Sequence, residues 1–341
     1  MCYKARMSLS VYHEYWASYV ASQKGTDAAA LAVALAERAD WVGRRMADGR
    51  KLGVPQSEEG LTESLLLDLR MSFPQLRIRP VGSRNREAQK GHDWEWWIQG
   101  PTQWFGARVQ AKVQHGAAGA ESYLLGYRVG RKKEGTLQPR QVDLVLAAAS
   151  VRGLPAVYAL YNPRDGGVSA DPGCPAQTPS GANGVTFVAG ETVRMLVDQQ
   201  AQANGTLGLE VPLASVAAHA LPWSCLAACG MYCPRPLSGP VRNDLAASAS
   251  GFLTGLVRRS GSVFSHRGED DEAVFASLLA MNDDWGLFGQ TPSYVQDIIQ
   301  EVGSSDDTVS TLAVDAENFP PGTAPSHVVV LPRQDADARD L

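Results

Sequence analysis

The spacing of hydrophobic positions changes near residue 75. Before it, Trp16, Tyr19, Val20, Leu31, Leu35, Trp41 and Val42 recur close to helical spacing, which predicts two helices within residues 8–50. Gly25-Thr26-Asp27 separates them and offers Thr26 or Asp27 as an N-cap. Residues 53–60 read as a linker, and Leu61, Leu65, Leu66 and Leu69 predict a third helix over 61–72. After that, Leu76-Arg77-Ile78-Arg79-Pro80-Val81 alternates with period two and predicts a strand. Strands are expected at 92–99 and 105–113, joined by the turn signal Gly100-Pro101-Thr102. A helix over 138–152 ending at Gly153 and a buried strand over 155–161 complete the run.

This order implies an α/β core with a mixed central sheet flanked by helices: antiparallel pairs first, then a crossover through the helix. Residues 162–190 are rich in Pro, Gly, Asn and Ser and read as a long loop. Beyond it the pattern predicts helices at 191–203, 241–259, 270–281 and 292–302, with short strands at 309–314 and 327–331. Three regions follow: a helical N-terminal region (1–55), the α/β core (56–165) and an α+β C-terminal region with an acidic tail (166–341).

Bulk numbers place few limits on this picture. Hydrophobic residues at 44% and charged residues at 20% suit an ordinary globular protein, and no run of about 18 apolar residues suggests a membrane span. The start lacks the apolar stretch of a secretory signal, and five cysteines are too few and odd for a disulfide framework, so the expected compartment is the cytoplasm. Cys225, Cys229 and Cys233 form a single cluster, with His219 or Cys174 as conceivable fourth ligands, but buried free thiols on an apolar helix are the better reading.

Charge is more informative in its distribution than in its sum. The net charge is -5, yet residues 70–140 hold 13 Lys/Arg against 5 Asp/Glu, a local +8 that leaves -13 for the rest. Arg84, Arg86, Lys90, Arg131, Lys132 and Lys133 fall in this stretch, and a polyanion responds to such a local field. A nucleic acid is therefore the expected partner. From Arg267 to Leu341 the balance reverses, with 15 acids and 3 basic residues.

Asp93, Glu95 and Trp97 share one side of a strand, and Gln110 and Lys112 share one side of the next. Carboxylates among three tryptophans need partners, and a metal ion and a lysine are natural ones. Mg²⁺ takes oxygen ligands and keeps several waters, so Asp93, the Gln110 amide oxygen and the carbonyl of Gln110 or Ala111 suffice as ligands. Lys112 would orient a water or offset developing negative charge. Trp94, Trp96 and Trp97 read as core rather than as a base-stacking platform.

Asp93 followed by Gln110-Ala111-Lys112 resembles the PD-(D/E)XK restriction-endonuclease-like superfamily. It is closest to the Mrr-type branch, in which glutamine replaces the acid of the third-strand motif. The order helix, strand, Asp-bearing strand, Gln-x-Lys strand, helix, strand is similar to that family's core over residues 58–165. The resemblance implies an endonuclease dependent on Mg²⁺ (Mn²⁺ substituting), with Asp93 and Gln110 on the metal and Lys112 serving the attacking water. It also implies an added helix acid, for which Glu63 is placed, and an accessory glutamine, Gln141. Two features depart from the pattern: no proline precedes Asp93, and Trp94-Glu95-Trp96-Trp97 is unusually rich in tryptophan. Defence of bacteria against foreign DNA is the expected setting, with room for a homo-oligomer or protein partner. The alternative is a nuclease-like nucleic-acid-binding or scaffold protein that no longer cuts, because Gln110 binds metal less strongly than an acid.

Overall fold

The computed structural model describes residues 26–73, 75–82, 93–117, 119–129, 138–164, 183–204, 209–227, 244–260, 285–300, 313–319 and 324–333. The expected helices at 8–25 and 270–281 lie outside them, as do Arg84, Arg86, Lys90, Arg131, Lys132 and Lys133.

The helices are α1 (Thr26–Leu52), α2 (Glu58–Ser72), α3 (Gln141–Ser150), α4 (Gly190–Asn204), α5 (Leu213–Ala217), α6 (Leu245–Arg259) and α7 (Ser293–Gln300). The main strands are β1 (Arg77–Gly82), β2 (Trp94–Gln99), β3 (Trp104–His115), β5 (Ala156–Tyr161), β6 (Val185–Ala189) and β11 (His327–Leu331). Two-residue strands fill the gaps: β4 (Ser122–Tyr123), β7 (Val211–Pro212), β8 (Leu221–Pro222), β9 (Leu287–Phe288) and β10 (Val314–Asp315). The result is a mixed α/β fold with a mixed central sheet, ordered β10-β1-β11-β2-β3-β5-β6-β8.

Side-chain alternation sorts the helices into two layers. Trp94, Trp96, Ile98, Val109, Ala111, Val113 and Tyr161 face one way and meet the apolar stripes of α1, α2 and α6. Trp97, Tyr158, Leu160, Val328 and Val330 face the other way, against α3, α4 and α7. Glycine makes two of these approaches possible. A Cβ on Gly184 would lie 1.9 Å from the Ala39 carbonyl of α1, and one on Gly106 would strike the Trp97 ring at 2.9 Å.

Two findings differ from the sequence expectations. Val185–Ala189, inside the expected loop, is strand β6, antiparallel to β5. All five of its residues are buried, so it lacks the alternation that marks a half-exposed strand. The second difference concerns β1, which pairs with the C-terminal strand β11 rather than with β2. β11 in turn runs parallel to β2, from His327 opposite Trp94 to Leu331 opposite Ile98. Val328, Val329 and Val330 are fully buried there, so this strand is interior to the sheet.

No helix among the described residues is long and apolar enough to cross a membrane. Because β11 supplies ladder bonds to both neighbours, truncating the chain after residue 323 should abolish cooperative thermal unfolding. A truncated protein that still melts in one sharp transition would show that the sheet closes without it.

Candidate active site

The site forms where β3 outruns its neighbour. Val109 is opposite Trp94, the first residue of β2, and β3 continues for six residues past that point. Its next stretch pairs with β5, Gln110 opposite Tyr158 and Lys112 opposite Leu160. Asp93 stands in the lane that β2 leaves. Its backbone is held on both sides: its N–H donates to the Val109 carbonyl (3.0 Å) and its carbonyl accepts from His327 N–H (3.2 Å). Its carboxylate then takes the place of missing strand backbone, Oδ2 accepting from the Ala111 N–H at 2.5 Å.

Gln110 Nε2 donates to the same Asp93 oxygen at 2.7 Å and to the Ala111 carbonyl at 3.1 Å. Gln110 Oε1 accepts from Gln141 Nε2 at 3.1 Å. Gln141 is in the first turn of α3 and is only 6% exposed, buried against the site rather than displayed on the helix surface. Lys112, also 6% exposed, does not pair with Asp93. Its Nζ donates to Glu58 Oε2 at 2.8 Å. The structure thus brings Asp93, Gln110, Ala111 and Gln141 into one hydrogen-bonded cluster, with Lys112 near enough for its charge to act on Asp93.

The helix acid is different. Glu63 is exposed on α2, where its charge acts on His327. Glu58 reaches the lysine because α2 begins a turn earlier than expected, in the stretch read as a linker. Ser57 caps it, accepting from Gly60 N–H at 3.1 Å, and Glu58 and Glu59 fill its first turn. Ser followed by two acids was the available signal, an N-cap with carboxylates suited to the positive helix end.

Burial pushes the Asp93 carboxyl up to about 6; the Lys112 charge and the Ala111 N–H pull it down, while Glu58 and Glu59 push it further up. Across the register from Gln110, the Tyr158 hydroxyl is fully buried, has no hydrogen-bond partner among the described residues and is pushed up by burial first and by the Asp93 charge next. Sequence reasoning missed Tyr158, since a buried strand tyrosine looks like core.

Glu95, two residues from Asp93, has another fate. It is wholly buried in an ion pair with Arg108 (3.1 Å) and accepts from Trp97 Nε1 (2.7 Å) and the Tyr294 hydroxyl. The three tryptophans are at most 2% exposed, in the core as expected. Cys225 is fully buried, and His219 Nδ1 lies 3.3 Å from the Arg259 carbonyl. Cys174, Cys229 and Cys233 lie outside the described residues. An open groove of about 980 Å³, lined by Glu121, Ser122, Gln200 and Leu213, contains none of the site residues.

Among the described residues no three His, Cys, Asp or Glu side chains gather to hold a metal. The oxygens that do converge are of another kind, one carboxylate and one backbone carbonyl meeting at the Gln110 amide nitrogen. Such a donor set suits a small hard cation that retains waters, not a zinc cage.

Fold and site together define a mixed α/β protein with a carboxylate, two amides and a lysine clustered at the start of an interior strand. The chain belongs to a family of unknown function (DUF6615), matched over residues 31–334. Neither a curated protein nor a solved structure matches it.

Two predictions follow from this electrostatics. The folded protein binds the Asp93 proton more tightly than the unfolded chain, whose carboxyl titrates near 4. The resulting stability is present below about pH 4 and lost as pH rises through about 6. Asp93→Asn, which does not titrate, should therefore gain on the parent across that window, by on the order of 2 kcal/mol at pH 7 without divalent ions. Denaturant unfolding at pH 4.5 and 7 measures this, and an equal difference at both values contradicts it. Tyr158→Phe removes a hydroxyl that makes no bond among the described residues, so the free protein should unfold within about 0.5 kcal/mol of the parent. A loss above about 1 kcal/mol would reveal a bond to that oxygen.

Proposed function

We propose that this protein is a divalent-cation-dependent nuclease of the restriction-endonuclease-like class, cutting phosphodiester bonds of DNA. The observation that carries the reading is the convergence of Asp93 Oδ2 and the Ala111 carbonyl on one point, with Lys112 on the same strand face. The order α2, β1, β2, β3, α3, β5 supports it, although β11 intervenes between β1 and β2.

Asp93 and the Ala111 carbonyl would hold the ion, Mg²⁺ or Mn²⁺ in its place. When bound, it supplies a Lewis acid that withdraws charge from a phosphate oxygen. Lys112 orients the attacking water and offsets charge building on the phosphate. Glu58 keeps the lysine head aimed and balances it in a largely buried setting. Asp93, shifted toward neutrality by burial, is returned to its ionised form by any cation seated beside it. Glu63, exposed five residues farther along the helix and turned well away from Glu58, serves this scheme less directly than Glu58. The basic excess over residues 70–140, including Arg84, Arg86, Lys90, Arg131, Lys132 and Lys133, would draw the phosphate backbone toward the site. Defence against foreign DNA in bacteria is the setting this activity suits.

One observation favours a second reading. Gln110 Nε2 fills the point between the two oxygens, as expected of a nuclease-like protein that binds nucleic acid without cutting it.

Plasmid, linear and single-stranded DNA incubated with and without Mg²⁺ or Mn²⁺ decide between them. Cleavage should require the ion and should fall at least about a thousandfold in Asp93→Ala and Lys112→Ala, with both variants still folded. Parent and variants cutting equally well would remove the assigned roles. Binding without cleavage in every condition would establish the second reading.

A further inference from the structure

Asp93 Oδ2 and the Ala111 carbonyl are both acceptors, so the Gln110 amide presents its nitrogen to them and its oxygen to Gln141 Nε2. A cation held by the same two oxygens demands the reverse, because an NH₂ group turned toward it repels it. Reversing Gln110 brings its NH₂ to Gln141, which then has to accept rather than donate. Glutamine can do either, having an acceptor at one corner of its amide and a donor at the other, and its terminal torsion is soft and roughly twofold. The Gln141 backbone need not move, since its N–H stays on the Tyr127 carbonyl at 2.7 Å.

Resting on the cation-site reading above, we propose that Gln110 and Gln141 form a two-position amide switch. In the free protein the Gln110 NH₂ fills the cation seat between Asp93 and Ala111. In the loaded protein both amides are reversed, Gln110 Oε1 facing the ion and Gln141 Oε1 accepting from Gln110 Nε2. Gln141 is thus a positioning residue, acting on the seat through Gln110 and selecting which face the Gln110 amide shows. No bond is made or broken and no proton is transferred. The arrangement gives the free protein a neutral plug, whose amide protons partly offset the Asp93 carboxylate and spare it from facing solvent unpaired.

The test uses the full chain, Mn²⁺ binding by titration calorimetry, and side-chain amide resonances of ¹⁵N-glutamine-labelled protein titrated with Mg²⁺. In the parent, the Gln110 and Gln141 amide resonances should both move, with the same midpoint. Gln141→Glu, an acceptor only, should tighten Mn²⁺ binding about tenfold, and Gln141→Lys, a donor only, should weaken it about tenfold, the scale on which outer-shell partners act. In metal-free Gln141→Glu the Gln110 resonance should already be displaced toward its Mg²⁺-saturated position in the parent. If the affinities change while that resonance stays at its free position, charge alone is at work and the switch is overturned. It is also overturned if parent and variants bind Mn²⁺ alike, or if Gln141 does not respond to Mg²⁺ in the parent. A parent that binds neither ion removes the cation seat itself, and the nuclease reading with it, an outcome distinct from the others.

Discussion

The unequal length of two neighbouring strands is what the site depends on. β3 needs a partner for the Ala111 N–H after β2 has stopped, and a buried backbone donor left alone costs about as much as a lost hydrogen bond. The Asp93 carboxylate meets that need at 2.5 Å, which fixes its position to within a hydrogen bond of strand geometry. The carboxylate is therefore as rigid as the sheet. Gln110 and Lys112 inherit the same rigidity from their alternation along β3, and Gln141 and Glu58 are carried to them by the first turns of two helices.

The two acids of this region show how context decides chemistry. Glu95 is fully enclosed, with a guanidinium, an indole N–H and a phenol around it, so its charge is matched and it is spent on holding the sheet to α7. Asp93 receives an amide and a backbone N–H but, among the described residues, no direct cationic partner, and burial raises its pKa. A carboxylate held with its charge incompletely balanced costs stability, and such costs collect at functional sites. The Tyr158 hydroxyl, across the register from Gln110 and without a partner among the described residues, belongs to the same pattern.

Much of this was legible from residue order. The hairpin of β2 and β3, the shared face of Asp93, Gln110 and Lys112, and the core role of the tryptophans all follow from period-two alternation, which is a local property. What escaped was either non-local or masked by uniform burial. β6 is buried on both faces, so it has no polar beat and sat within a Gly- and Pro-rich stretch that looked like loop. The insertion of β11 between β1 and β2 joins residues more than two hundred positions apart, and no window along the chain registers that. Glu58 was hidden by a misplaced helix start, although Ser57 marked it. The six basic residues singled out from composition fall in stretches outside the described residues.

The position of β11 has a bearing on the order of assembly. During synthesis β1, β2 and β3 leave the ribosome long before His327, yet the slot between β1 and β2 waits for that last strand. His327 also supplies the N–H that holds the Asp93 carbonyl. A nascent chain therefore carries Asp93, Gln110, Lys112 and Gln141 well before it can fix the aspartate in place. Closing so distant a contact is slow, so the Asp93 corner is among the final parts of the molecule to mature.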